Sequence, residues 1–162
     1  RRVLFRSEIM VVVLLIGLTV TLVSLSLQHD PDRLAELEAR RFVALLEHAR
    51  EESILTGRAI GIEVDEAEGR LRFLAPGEVW SPIEQDDVLH PRRFAQTVTV
   101  RLDLLEQDAA RAEVASPRVI VVEAVGEISP FVLTLVGDAD AFVVSMDEDQ
   151  NLEIERRDAE LG

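Results

Sequence analysis

The sequence contains no cysteine, which rules out a disulfide framework and a thiolate metal site. That absence leaves the compartment open, because a cysteine-free domain is allowed in any redox environment. Aromatic residues are scarce, at 4% against 48% apolar residues overall, so a core has to be built from Val, Leu, Ile and Ala. Positive charge is also short: 17 basic side chains face 31 acidic ones, for a net charge of -14. Such a balance repels phosphate backbones and argues against a nucleic-acid partner. It suits a domain that stays dispersed or meets a basic partner surface. Catalytic signatures are missing as well. No Gly-rich phosphate loop, Gly-x-Ser-x-Gly elbow or paired-carboxylate motif occurs, and His48-Ala49-Arg50-Glu51-Glu52 is not the His-Glu-x-x-His of a zinc protease. His29, His48 and His90 stand too far apart for a metal-ligand spacing. No enzyme, metal or other cofactor is expected. At 162 residues the chain has room for one domain with a helical extension.

What the sequence does have is one long hydrophobic run. Ile9 to Leu27 carries no ionisable group, and a helix of that length spans about 28 Å, close to the thickness of bilayer hydrocarbon. Arg1, Arg2 and Arg6 precede it, while Asp30 and Asp32 follow. The excess of positive charge on the N-terminal side predicts a cytoplasmic N-terminus, with everything after Leu27 outside. A cleaved signal peptide calls for a shorter run and a small-x-small exit, which Ser24-Leu25-Ser26-Leu27-Gln28 fits poorly. A buried core helix rarely runs so far uncharged. The reading is a transmembrane helix over residues 8–29.

From Asp30 the pattern becomes that of an amphipathic helix over residues 30–57. Asp30 can cap it, Pro31 suits its first turn and Asp32 complements the N-terminal dipole. Leu34, Leu37, Phe42, Leu45, Leu46, Ala49 and Ile54 form its expected apolar stripe, and Gly57 its C-terminal stop. Residues 58–162 then switch to a period of two. Ala59–Val64, Arg70–Leu74, Val79–Ile83, Thr97–Leu105, Arg118–Ala124, Phe131–Val136, Phe142–Met146 and Leu152–Arg156 read as strands. Turn residues separate them, among them Glu68-Gly69, Pro76-Gly77, Ser116-Pro117 and Gly137-Asp138. With no helix between strands the sheet should be mostly antiparallel. The fold class is α+β, a long N-terminal helix packed on a β-rich, extracytoplasmic domain.

The run Glu8-Ile9-Met10-Val11-Val12-Val13-Leu14-Leu15-Ile16-Gly17-Leu18 resembles the N-terminal segment of type IV pilin-like proteins. Leu45-Leu46-Glu47-His48-Ala49-Arg50-Glu51-Glu52-Ser53-Ile54-Leu55-Thr56-Gly57-Arg58 and Gly126-Glu127-Ile128-Ser129-Pro130-Phe131 point more narrowly to the H-type minor pseudopilins of type II secretion and the related FimT-like minor pilins. The resemblance covers nearly the whole chain. It implies a structural subunit at or near the tip of a pseudopilus, supporting protein export across the outer membrane of a Gram-negative bacterium. It further implies a single-pass inner-membrane protein with a periplasmic C-terminal domain. The partners so implied are other minor and major pseudopilins, the inner-membrane secretion platform, the secreted substrate and the lipid bilayer.

The same resemblance gives Glu8 a role in assembly, pairing with the terminal amine of a neighbouring subunit. Spacing alone favours reading Glu8 as a flanking acid in the headgroup region. Val12, Leu15, Ile16 and Gly17 are implied to pack against neighbouring helices, Gly17 allowing close approach. Processing and N-methylation would fall at Leu4, but the chain departs from the family there. The Gly that ends the family's leader is absent, and Arg6 would lie inside the apolar segment. Residues 1–7 read as an atypical leader remnant or an artefactual start.

Three further features have a plain structural reading beside a functional one. Gly126–Phe131 reads as a turn between strands. Asp147-Glu148-Asp149-Gln150-Asn151 resembles the opening of a calcium loop, yet a calcium-binding helix-loop-helix would need Gly at Leu152 and Glu at Asp158; a solvated hairpin loop accounts for it. Trp80 is an interface anchor or a residue packed on a sheet face. Two rival functions remain on the sequence: a FimT-like minor pilin of type IV pili acting in DNA uptake, and a signal-anchored periplasmic binding module.

Overall fold

The computed structural model describes residues 4–26, 30–84, 86–105, 118–147 and 149–159, in two units, Arg1–Asp30 and Pro31–Gly162. In the first, α1 runs from Leu4 to Ser26. Thr19 Oγ1 donates to the Leu15 carbonyl at 2.6 Å, so that hydroxyl adds no unmet donor to an apolar surface. Among the described residues no helix is long and apolar enough to cross a membrane. Side chains of α1 are described for residues 8–19 only, and residues 27–29 lie outside the described residues. The membrane-spanning helix expected over 8–29 is therefore not established by the fold.

The second unit begins with α2, Pro31–Thr56. Pro31 has no N–H to leave unsatisfied in the first turn, and Asp32 stands at the positive end of the dipole. Gly57, at φ 63°, stops the helix: its left-handed conformation lets the Arg58 N–H reach the Ser53 carbonyl at 3.2 Å, the six-to-one bond of a Schellman cap. The buried face is Ala35, Ala39, Phe42, Leu45, Leu46, Ala49 and Ser53. This corrects the stripe expected from the sequence at two positions. Leu37 is 53% and Ile54 54% exposed, while small residues take the buried places because they bring the helix backbone close to the sheets. Ser53 is the one buried polar residue there, and its hydroxyl donates back to the Arg50 carbonyl at 2.8 Å.

Nine described strands follow: β1 (Ile60–Asp65), β2 (Arg70–Ala75), β3 (Ser81–Pro82), β4 (Arg92–Arg93), β5 (Thr99–Leu104), β6 (Val119–Val122), β7 (Phe131–Val136), β8 (Asp140–Met146) and β9 (Leu152–Asp158). They form two antiparallel sheets. One has the order β3-β2-β1-β6, with β4 also on the outer edge of β2; the other is β5-β7-β8-β9. Tight registers such as Ile62↔Phe73 and Leu133↔Val144 follow from the two-residue alternation, since one slipped residue would turn every core side chain to solvent. Pro82 lacks a ladder donor, which cuts the strand expected over Val79–Ile83 to two residues. The β4 pairing carries no alternation to announce it.

Both inner sheet faces and the α2 stripe close on one core. Ile62, Phe73, Ile120, Val122, Leu133 and Leu135 are fully or almost fully buried there. Phe42 of α2 meets Phe131 of β7 edge to face, with ring centroids 6.0 Å apart, a geometry the ring quadrupoles favour. Phe42 and Phe131 thus sit where helix and sheet join, and aliphatic residues fill most of the remaining core.

Candidate functional site

On α1, Glu8 is exposed, and so is every side chain from Ile9 to Thr19 within the chain. Val12, Leu15 and Ile16 are 50%, 55% and 57% exposed. At Gly17 an added β-carbon would meet nothing within 4 Å among the described residues. Leu4 lies in the first turn of α1, its side chain outside the described ones. The helix therefore presents apolar groups on all sides, with one carboxylate near its start. A helix of that kind calls for an apolar surrounding or apolar neighbours.

The body holds the N-terminal end of α2 by one carboxylate that sequence reading took only as a dipole residue. Asp32 Oδ1 accepts the backbone N–H groups of Asp138, Ala139 and Asp140 at 2.7, 3.0 and 3.0 Å. These belong to the turn between β7 and β8. The bond from Asp140, together with those from Asp138 and Ala139 and the Arg156 charge, keeps the Asp32 carboxyl below its ordinary range against the opposing effect of desolvation. Arg156 completes the cluster by pairing with Asp140 at 2.6 Å. Gly137 makes the approach possible: a β-carbon there would stand 2.8 Å from Asp32 Cα and 2.9 Å from Asp32 N.

A second clamp sits at the other end of α2. Arg50 donates to the Gln150 carbonyl at 3.3 Å, and Gln150 itself has φ 65°. The loop around it is built from within. Asp147 accepts the Asp149 and Asn151 N–H groups and the Asn151 amide at 2.9, 2.8 and 3.0 Å, and these bonds, the Asn151 side chain first, lower its pKa. The carboxylate that a calcium loop would offer is thus committed to a hairpin turn, Glu148 lying outside the described residues. Among the described residues no group of three or more His, Cys, Asp or Glu side chains could hold a metal.

Trp80 is half-buried on the outer face of the first sheet, where a β-carbon on Gly61 would stand 3.0 Å from its ring. Within the chain it packs on a sheet face. Gly126, at φ 86°, turns the chain after β6: its N–H donates to the Glu123 carbonyl at 2.8 Å, and Ser129 then pairs back to Val121. Gly126–Phe131 is a turn and the entry to β7, and Pro130 supplies a carbonyl to the Leu105 N–H at 3.1 Å.

Known proteins share this body. The family model for Type II transport protein GspH matches residues 38–149. The type II secretion system protein H of Aeromonas hydrophila is 30% identical, the match covering 79% of this chain and 76% of that protein. Among solved structures, the minor pseudopilin EpsH of the Vibrio cholerae type 2 secretion system superposes with a TM-score of 0.61 at 23% identity, over 75% of this chain and 95% of that one. Escherichia coli GspH gives 0.56 at 20% identity, over 82% and 94%. These matches favour the secretion reading over the FimT-like and binding-module alternatives. Since residues 38–149 hold most of the α2 stripe and eight of the nine described strands, the likeness is one of the folded body itself, and the chain belongs to the GspH family of type II transport proteins.

Proposed function

We propose that this chain is a minor pseudopilin of type II secretion, a structural subunit at or near the pseudopilus tip that supports protein export across the outer membrane. The observation that carries the reading is the contrast between its two parts. The family match falls on a closed, acidic body, while α1 offers apolar side chains on every side from Ile9 to Leu18. In this reading residues 8–29 form a single span of the inner membrane, with the N-terminus cytoplasmic and the body, 58–162 with its amphipathic helix 30–57, in the periplasm. Assembly then exchanges lipid around Val12, Leu15 and Ile16 for neighbouring helices. Gly17 gives those helices room to approach.

Glu8 sets the register of that exchange. A carboxylate at the edge of hydrocarbon costs a few kcal/mol unless paired, so a neighbouring subunit that offers a cation is selected over one that does not. If the family's leader cut applies, that cation is an amine at Leu4. The partners are other minor and major pseudopilins, with the inner-membrane platform and the secreted substrate beyond them. The role is structural, with no catalytic step and no cofactor.

Complementation of a host lacking the gene tests the reading. Glu8→Ala is expected to abolish secretion of a reporter exoprotein while the chain stays at its normal level in the membrane fraction; Glu8→Asp should retain part of it. Full secretion with the Ala variant would remove the assembly role.

A further inference from the structure

Among the described residues, three of the four sheet edges are closed and one is open. On β5 the Leu102 N–H goes to Glu66, and the Leu102 carbonyl accepts from Arg118. On β6 the chain returns over its own edge: Ser129 donates to the Val121 carbonyl, Val121 to Ser129 Oγ, and Glu123 to the Glu127 carbonyl. The outer side of β2 carries β3 and β4, two residues each, too short to template another strand. β9 is different. It pairs with β8 along all seven of its residues and has no described strand on its other side.

The register identifies which groups of β9 are free. Asp147 N–H donates to the Asn151 carbonyl at 3.0 Å and Ala159 N–H to the Ala139 carbonyl at 2.9 Å, and both pairs continue the β8–β9 register. In an antiparallel ladder the bonded pairs recur at every second residue, so Glu153, Glu155 and Arg157 give their backbone groups to β8. Leu152, Ile154, Arg156 and Asp158 turn theirs to the open side, where no described group meets them. Charge does not block this edge as it does on β5. Arg156 reaches back onto β8, to Asp140 at 2.6 Å, and Arg157 pairs along its own strand with Glu155.

We propose that β9 is the docking edge for an extended segment of another polypeptide, added to the β5-β7-β8-β9 sheet as a fifth strand. The backbone bonds supply affinity, and two rows of side chains set the selectivity. Leu152 and Ile154 lie on the core-side face, opposite Met146 and Val144 of β8. Ile154 is still 37% exposed, so an apolar side chain set against it completes its burial. Glu153 and Glu155 lie exposed on the other face, where opposed Lys or Arg side chains pair with them. The segment that fits therefore alternates apolar and basic residues. A second copy fits worse: full antiparallel overlap sets Glu155 against Glu155, in chains of net charge -14. The edge belongs to the folded body and does not depend on what α1 does.

The full chain in nonionic detergent, titrated with a fluorescein-labelled peptide of four Val-Lys repeats, tests this by anisotropy. A peptide of four Pro-Lys repeats is the control: it has the same charge but lacks the N–H groups that would meet β9. Saturable binding of the Val-Lys peptide alone is expected. Amide exchange in the free chain should alternate along β9, fast at Ile154 and Arg156 and slow at Glu153 and Glu155. The Val-Lys peptide should slow Ile154 and Arg156 by at least about tenfold. Ile154→Pro removes an outward donor and leaves the β8 ladder whole, so it should weaken binding at least about tenfold. Glu153→Gln with Glu155→Gln, at exposed positions, should keep the fold and still lose several-fold. No saturable binding, equal binding of the two peptides, unchanged binding by the Glu variants, or binding without added protection at Ile154 and Arg156 would each overturn the proposal. Protection there that grows with protein concentration in the absence of peptide would give the edge to a second copy and overturn it too.

Discussion

Gly137 shows how much of this body depends on single positions that no local pattern marks. A β-carbon there would lie against the backbone of Asp32, and backbone cannot yield as a flexible side chain would. Gly137→Ala should therefore lower stability by about 1 to 3 kcal/mol, as overpacking does, read by urea unfolding of the full chain in detergent. Asp32 itself should show a pH signature. Its carboxyl is held below the ordinary value of 3.8, mainly by the Asp140 N–H. A depressed carboxyl contributes stability that is complete above the unfolded value and is lost as pH falls through the folded one. Parent and Asp32→Asn should then differ most at neutral pH and converge below pH 3.8; a gap that stays constant or widens in acid would remove the charge from the explanation. Gly57 was legible in the sequence because a helix stop is local. Gly137 was legible only as a turn, because what it must avoid arrives from the far end of the chain.

The same division between local and distant causes governs the elements. Phe131–Val136 matches the expected strand end to end, since its alternation is set by burial of one face. α2 was found with its ends nearly in place, but its stripe was misjudged by following large residues. Ala35, Ala39 and Ser53 face the sheets while Leu37 looks out. Phe42→Ala should cost about 3 to 5 kcal/mol, whereas Leu37→Ala should stay within about 0.5 kcal/mol; equal losses would restore the stripe read from the sequence. The free side of β5 shows a device that alternation cannot reveal. Its Leu102 N–H donates to Glu66 Oε1 at 3.0 Å, and Arg118 Nη2 donates to the Leu102 carbonyl at 3.2 Å. Two charged side chains thus occupy an edge that would otherwise accept another strand. Removing the acceptor by Glu66→Ala should speed hydrogen exchange at the Leu102 amide by about tenfold and leave amides of β7 unchanged. The paired arginines of β4 went unread for a related reason: their partner strand, β2, is separated from them by an irregular stretch, and Arg-Arg has no period.

The candidate site divides along the line between the two units. Glu8, Val12, Leu15, Ile16 and Gly17 come from the family resemblance laid along an apolar run, and their assembly roles belong to the proposed function. The Asp32 cluster needs α2 and the turn before β8 brought together, and only the fold does that. Over the whole chain the proposed function has α1 and the body answer to different solvents. The body buries its own apolar faces and turns charge outward, whereas α1 leaves Leu14 71% and Met10 70% exposed. A charge placed on α1 should therefore alter where the chain resides without altering how the body folds. Leu14→Arg lies in the first third of the run, about one and a half helical turns inside it, and a cation costs about 2.5 to 3.5 kcal/mol on insertion at the centre of such a span and less toward its ends. It should reduce the share of chain that floats with membrane vesicles by at least about tenfold, with Leu14→Ala as the neutral control. Urea unfolding of the body, followed through Trp80, should remain that of the parent in both variants. If Leu14→Arg instead destabilises the body and leaves flotation intact, α1 is a packed part of the fold and the membrane reading fails.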